Sequence, residues 1–188
     1  MSAIVVASIG PPDAEALASV EDAVAGAFSR PVRRLAPLPE PAGGLDAARG
    51  QWSAPEMLKA LLAARPPDAE RILGLTARDL FIPVLSFVFG QAQMDGPTAV
   101  ISLARLSQAF SGLPEDRPLL LARARKEALH ELGHTFGLVH CPDAACPMSL
   151  STGVVMVDRK GETFCSTCAA LVKERTPAAS RSAEGRTR

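Results

Sequence analysis

The sequence predicts an α/β domain built on a mixed sheet, and three observations point there. Short β-branched apolar runs alternate with helical periodicity through the first half of the chain. Two apolar runs on either side of residues 90–97 are close enough to pair as an antiparallel hairpin. One long helical stretch, residues 117–138, then dominates the second half. The 188 residues suit one domain with a substantial core, expected over residues 2–175. A hydrophobic content of 47% with 21% charged residues is ordinary for a globular chain.

Residues 4–9 form an apolar run closed by Gly10, Pro11 and Pro12, which suits a buried strand. Leu17, Val20, Val24 and Phe28 recur at helical spacing over residues 13–28, with Pro12 as a start signal. Residues 31–35 read as a second strand, and residues 37–50, dense in Pro, Gly and Ala, as a loop. Ser53-Ala54-Pro55-Glu56 has the form of a capping box, opening a helix that stops at Pro66. Residues 72–75, 86–89 and 99–103 are further strands, separated by Pro83, Gly90 and the Asp95-Gly96-Pro97 turn. After a break at residues 112–114 comes the long helix, carrying Leu120, Leu121, Ala124, Ala128, Leu132 and Phe136. Residues 176–188 are almost without apolar side chains and are expected to form a disordered tail.

All three histidines of the chain fall within the run from His130 to His140. Residues four apart share a helix face, so His130 and His134 can point at one ion. A catalytic zinc takes three protein ligands and keeps one open position. Gly137 tolerates the left-handed conformation that ends a helix and lets the chain bring His140 back as the third ligand. Glu131, beside a ligand, is the natural general base for an activated water. Singly, each residue has a bland reading: a packed histidine, a solvated glutamate, a C-cap glycine. The shared spacing outweighs these.

Cys141, Cys146, Cys165 and Cys168 account for every cysteine. Their spacings fit a structural zinc, which four thiolates would enclose with no open position. Two disulfides are the alternative, which a reducing compartment disfavours. A redox C-x-x-C would leave Cys141 and Cys146 unexplained. Because His140 and Cys141 are adjacent, the two expected metal sites share backbone, and the cysteine site is expected to fix where the third histidine stands.

The run His130 to His140 has the form H-E-x-x-H-x-x-G-x-x-H, and Met148 follows in Cys146-Pro147-Met148. Here the sequence resembles the metzincin zinc proteases, with Met148 in the place of their Met-turn methionine. With Cys141 directly after the third histidine, it looks like the archaemetzincins. Residues 130–168 carry the motif, and residues 79–83 and 87–90 also look like the family's strand region. The resemblance implies a twisted mixed sheet over an active-site helix, two zinc ions per chain (one catalytic, one structural) and peptide hydrolysis. It also implies that residues 86–94 form the antiparallel edge strand that receives extended peptide. On its own, Met148 would read as core packing. Some metzincins use a tyrosine near the metal, and this chain has none. Stabilisation of the developing oxyanion is therefore expected from zinc, backbone N–H groups, Arg159 or Lys160.

The expected partner is a peptide or protein substrate, and the alternative is a zinc-containing peptide-binding protein with little turnover. A zero net charge and 4% aromatic residues argue against a nucleic-acid module and offer no basic field for a membrane. The first ten residues lack the basic region and apolar length of a secretion signal, and no apolar run reaches membrane-spanning length. A cytoplasmic monomer is expected.

Overall fold

The structure, a computed structural model, describes residues 3–176. The first half runs β1 (Ala3–Ser8), α1 (Ala14–Phe28), β2 (Val32–Arg34), β3 (Leu45–Asp46), β4 (Gln51–Ser53), α2 (Ala54–Ala64) and β5 (Ala69–Thr76). Then come β6 (Leu80–Ile82), β7 (Leu85–Val88), β8 (Gly90–Ala92), β9 (Thr98–Ser102), a 3-10 turn at Gln108–Ser111, and helices α3 (Arg117–Thr135), α4 (Val154–Arg159) and α5 (Ser166–Arg175). The main sheet has the order β2-β1-β5-β9-β8, parallel except for β8, which runs antiparallel to β9 at the edge. A second sheet has the order β3-β4-β6-β7.

Both faces of the main sheet are covered, which is why β1 is apolar at consecutive positions rather than alternating. Ile4 and Val6 pack with α1 and α3, while Val5 packs with Met57 and Leu61 of α2. Gly74 lets α2 come close: a Cβ there would lie 2.8 Å from Leu61 Cδ1. Local signals start the helices. The Asp13 side chain accepts from the Ala16 N–H at 3.0 Å and Ser53 Oγ from the Glu56 N–H at 3.4 Å. The capping box at Ser53 is only half formed. Glu56 turns to Lys59 at 2.7 Å, and the Ser53 N–H donates instead to the Gly44 carbonyl at 2.7 Å.

Four expectations are revised. The loop at 37–50 contains β3 and an isolated parallel bridge between Ile9 and Leu38. The hairpin partner of β9 is β8, and residues 86–89 instead contribute to β7, antiparallel to β6 in the second sheet. The stretch 86–94 is thus not one edge strand but an edge strand of each sheet, with the chain crossing between them at Phe89. The long helix stops at Thr135, because Gly137 turns left-handed at φ 76°. Of the expected tail, Thr176 closes α5 through its N–H to the Val172 carbonyl at 2.8 Å, and residues 177–188 lie outside the described residues. Among the described residues, no helix is long and apolar enough to cross a membrane.

Candidate active site

Helix α3 is capped by Asp116, whose side chain accepts from the Leu119 N–H at 2.9 Å, and Leu120, Ala124, Ala128 and Leu132 anchor it in the core. Its face toward the second sheet carries Glu127, His130, Glu131 and His134, spaced by three and four residues. These side chains form one wall of a cleft of about 390 Å³. Residues 85–90 form the opposite wall, and His140 and residues 150–152 contribute to the rim.

The turn at Gly137 is a Schellman motif: the Leu138 N–H donates to the Gly133 carbonyl at 3.0 Å and the Gly137 N–H to that of His134 at 2.9 Å. Chain reversal brings His140 beside His130 and His134, with ring centroids 5.3 and 5.0 Å away. The three imidazoles offer ligand atoms that lie within 4.8 Å of one another. His130 Nδ1 faces the Pro147 carbonyl at 2.8 Å, and His134 Nδ1 faces the Leu138 carbonyl at 2.7 Å. A carbonyl oxygen only accepts, so both protons sit on Nδ1 and both Nε2 atoms present lone pairs. Those two Nε2 atoms are 3.1 Å apart. Neither can donate to the other, and the approach matches the separation of about 3.3 Å between nitrogens on one tetrahedral zinc. Burial pushes all three imidazoles below the usual histidine range, His130 furthest, aided by the nearby Lys160 ammonium and opposed at His130 and His134 by the carbonyls. Neutral imidazoles with converging lone pairs fit a divalent metal.

Glu131 is buried beside these rings, and burial raises its carboxyl well above the usual range, aided by Glu127 and opposed by Lys160. Its position depends on Gly90 of the facing strand, where a Cβ would lie 2.6 Å from Glu131 Cγ and 2.8 Å from Oε1. Met148 is fully buried under the site, and a Cβ at Gly133 would lie 2.3 Å from its sulfur. Gly133 thus lets the methionine reach α3.

Glu127 lines the cleft one turn before Glu131, and its Oε1 accepts from Lys160 Nζ at 3.0 Å, both side chains being almost fully buried. Burial raises Glu127 and Lys160 opposes the rise. Lys160 therefore sits behind Glu127 instead of projecting into the cleft. Arg159 borders a separate depression beside Cys141 and Met156. Neither of these expected oxyanion partners lines the cleft among the described residues.

The second cluster joins Cys141, Cys146, Cys165 and Cys168, again with ligand atoms within 4.8 Å of one another. All four are free thiols, and Cys141 Sγ and Cys165 Sγ stand 3.8 Å apart. That is the sulfur separation of about 3.8 Å expected around tetrahedral zinc with Zn–S bonds near 2.3 Å. The backbone N–H of Cys168 lowers the Cys165 thiol, while burial raises Cys146 and Cys168. The seven residues read as ligands come together in the two clusters, Glu131 lines the same cleft as the histidines, Met148 is buried at Gly133 and Gly137 makes the turn, whereas Arg159 and Lys160 stand outside the cleft. Gly90, Gly133, Glu127 and Lys160 were not singled out for these contacts. Glu127 had a signal, its i−3 and i−4 spacing to His130 and Glu131, whereas Lys160 reaches it across 33 residues.

The family model for peptidase family M54 matches residues 51–174. An archaemetzincin of Methanopyrus kandleri is 46% identical over 141 residues, covering 75% of this chain and 75% of that protein. The crystal structure of an archaemetzincin from the same organism superposes with a TM-score of 0.82 at 36% identity, over 93% of this chain and 95% of that one. A zinc-dependent peptidase from Methanocorpusculum labreanum superposes with a TM-score of 0.81 at 29% identity, over 90% and 99%.

Proposed function

From the premise that this chain belongs to peptidase family M54 and is a zinc metalloprotease, we propose that it hydrolyses peptide bonds with Glu131 as general base. We further propose that one catalytic and one structural zinc are bound. The observation that carries the reading is the 3.1 Å approach of two Nε2 atoms whose rings are both held as Nδ1–H tautomers. A cation accounts for that arrangement, and His140 supplies a third donor. At the cysteine cluster the 3.8 Å sulfur separation supports the structural ion.

Zinc at the three histidines would polarise the scissile carbonyl and acidify a water molecule. The chain's own residues do the rest. Glu131, itself buried, takes the water's proton on its carboxylate and returns it to the leaving nitrogen. Among the described residues β7 pairs only with β6, so its outer edge along the cleft offers backbone groups to an extended peptide. Apolar Leu85, Phe87 and Leu150 line the cleft and favour a substrate with apolar side chains.

The test is metal analysis together with turnover of a peptide library by wild type and Glu131→Ala. Two zinc ions per chain in both proteins are expected, with cleavage lost only in the variant, by about 10²–10⁴-fold. A wild type that holds two zinc ions and cleaves nothing would instead make the chain a zinc-containing peptide-binding protein.

A further inference from the structure

The three histidines are not held alike. The rings of His130 and His134 are each oriented by a backbone carbonyl, but among the described residues no group hydrogen-bonds to the ring of His140, the exposed member of the three. Its place follows from the backbone on either side. On the upstream side stands the Gly137 turn, and there Arg175 at the end of α5 donates through Nη1 to the Phe136 carbonyl at 2.8 Å. Phe136 is the C-cap of α3, whose free carbonyls and negative dipole end suit a cation. On the downstream side Cys141 is fixed twice, by its N–H to the Met148 carbonyl at 2.9 Å and by its sulfur in the cysteine cluster.

The other half of that cluster, Cys165 and Cys168, lies at the start of α5. One helix therefore grips the chain on both sides of His140, at Cys141 with its first turn and at Phe136 with its last. The loop between Cys141 and Met148 also carries Cys146 and the Pro147 carbonyl that orients His130.

We propose that α5 positions the third histidine, with Arg175 as a positioning residue and the four cysteines as its anchor. Metal affinity at His130, His134 and His140 then depends on an intact cysteine cluster and on Arg175. The proposal rests on metal binding by the histidines, and the experiment separates the two.

Full-length protein is loaded with Co²⁺ and Zn²⁺. Thiolate-to-cobalt charge-transfer bands report the cysteine site, the weaker d–d bands seen when Zn²⁺ fills that site report Co²⁺ at the histidines, and competition with a chromophoric chelator gives each affinity. Arg175→Gln is expected to leave the thiolate bands unchanged and to weaken the histidine site by about tenfold, with Arg175→Lys recovering most of the loss. Cys165→Ser is expected to abolish the thiolate bands and weaken the histidine site by about 10–100-fold. Wild-type histidine-site affinity in Arg175→Gln would overturn the role of Arg175. The same result in a folded Cys165→Ser protein lacking thiolate bands would overturn the coupling. If Cys165→Ser does not fold, Arg175→Gln decides alone. A wild-type chain with thiolate bands and no histidine-site metal would overturn the metal centre itself.

Discussion

Gly90→Ala should disable the site without removing any group that the chemistry uses. The backbone of Gly90 is not left-handed, so alanine is conformationally admissible and the effect is steric. The new Cβ would lie 2.6 Å from Glu131 Cγ, 2.8 Å from Glu131 Oε1 and 2.7 Å from the Val100 carbonyl, against an ordinary contact distance of 3.4 Å or more. The clash with Val100 strains the ladder to β9, in which Gly90 pairs with Ile101, and a retreat of β8 from Glu131 would stretch that ladder further. The Glu131 side chain must then move by several tenths of an ångström. Misplacing a catalytic group by about 1 Å costs on the order of 10²-fold in rate, so kcat/KM should fall by about 10–100-fold. The overpacking should also cost about 1–3 kcal/mol in urea unfolding. Zinc content should match wild type, because the atoms nearest the new Cβ belong to Glu131 and Val100 and not to a ligand. The deciding comparison is the Gly90→Ala, Glu131→Ala double variant, which should be no slower than Glu131→Ala alone. A Gly90→Ala enzyme with wild-type kcat/KM, or a double variant slower by the product of the two single effects, would refute the reasoning.

Two further predictions concern buried charge. Lys160→Met leaves Glu127 buried and unpaired, which should destabilise the fold by about 3–5 kcal/mol at neutral pH, with Glu127→Gln in the same chain restoring most of it. Burial raises the folded-state Glu127 carboxyl and Lys160 opposes the rise, so without Lys160, taking up a proton relieves the buried charge. The loss in Lys160→Met should therefore shrink as pH falls toward 5, and a loss constant with pH in urea titrations would count against the assignment. Asp158 behaves oppositely. Arg123 holds its carboxyl below the usual value, so the stability it contributes is complete at neutral pH and lost as pH falls through the lowered value. Asp158→Asn should cost about 1–3 kcal/mol at pH 7, the partner's exposure of about a third being discounted, and little once the pH lies well below the lowered value. An equal cost at both pH values would point to packing instead.

Elements whose signals are local were legible in the sequence. Strand β1 announces itself by its apolar run before Gly10, α1 by its helical spacing after Pro12 and α2 by the cap at Ser53. Several elements that were missed have their reason elsewhere in the chain. Strand β3 is two residues long and exists because β4 pairs with it, while β6, three residues long and held between β4 and β7, was marked only by the family resemblance over residues 79–83. Strand β8 is three residues around a glycine, made a strand by β9 and kept small by Glu131. No window of the sequence contains either cause. The early stop of α3 was legible only in part: Gly137 marked the turn, but the Schellman bonds place the last helical residue two positions earlier.

The same division runs through the site and explains its construction. His130 and His134 are four residues apart on a helix that the core holds rigid, so their convergence is a property of local sequence and could be read there. Their tautomers could not, because one orienting carbonyl belongs to Pro147, 17 residues away. The third ligand is a harder physical problem. A helix cannot present His140 at the required position, so the chain must leave the helix, and a residue beyond a glycine turn on an exposed segment would sample many positions. A preorganised metal site requires that this freedom be removed before the ion arrives. In this chain the restraint comes from outside the segment: Cys141 ties its far side to α5, and Arg175 of the same helix ties its near side at Phe136. The adjacency of His140 and Cys141 is then a structural necessity. Inserting one residue between them would let the anchor hold while the ligand drifted.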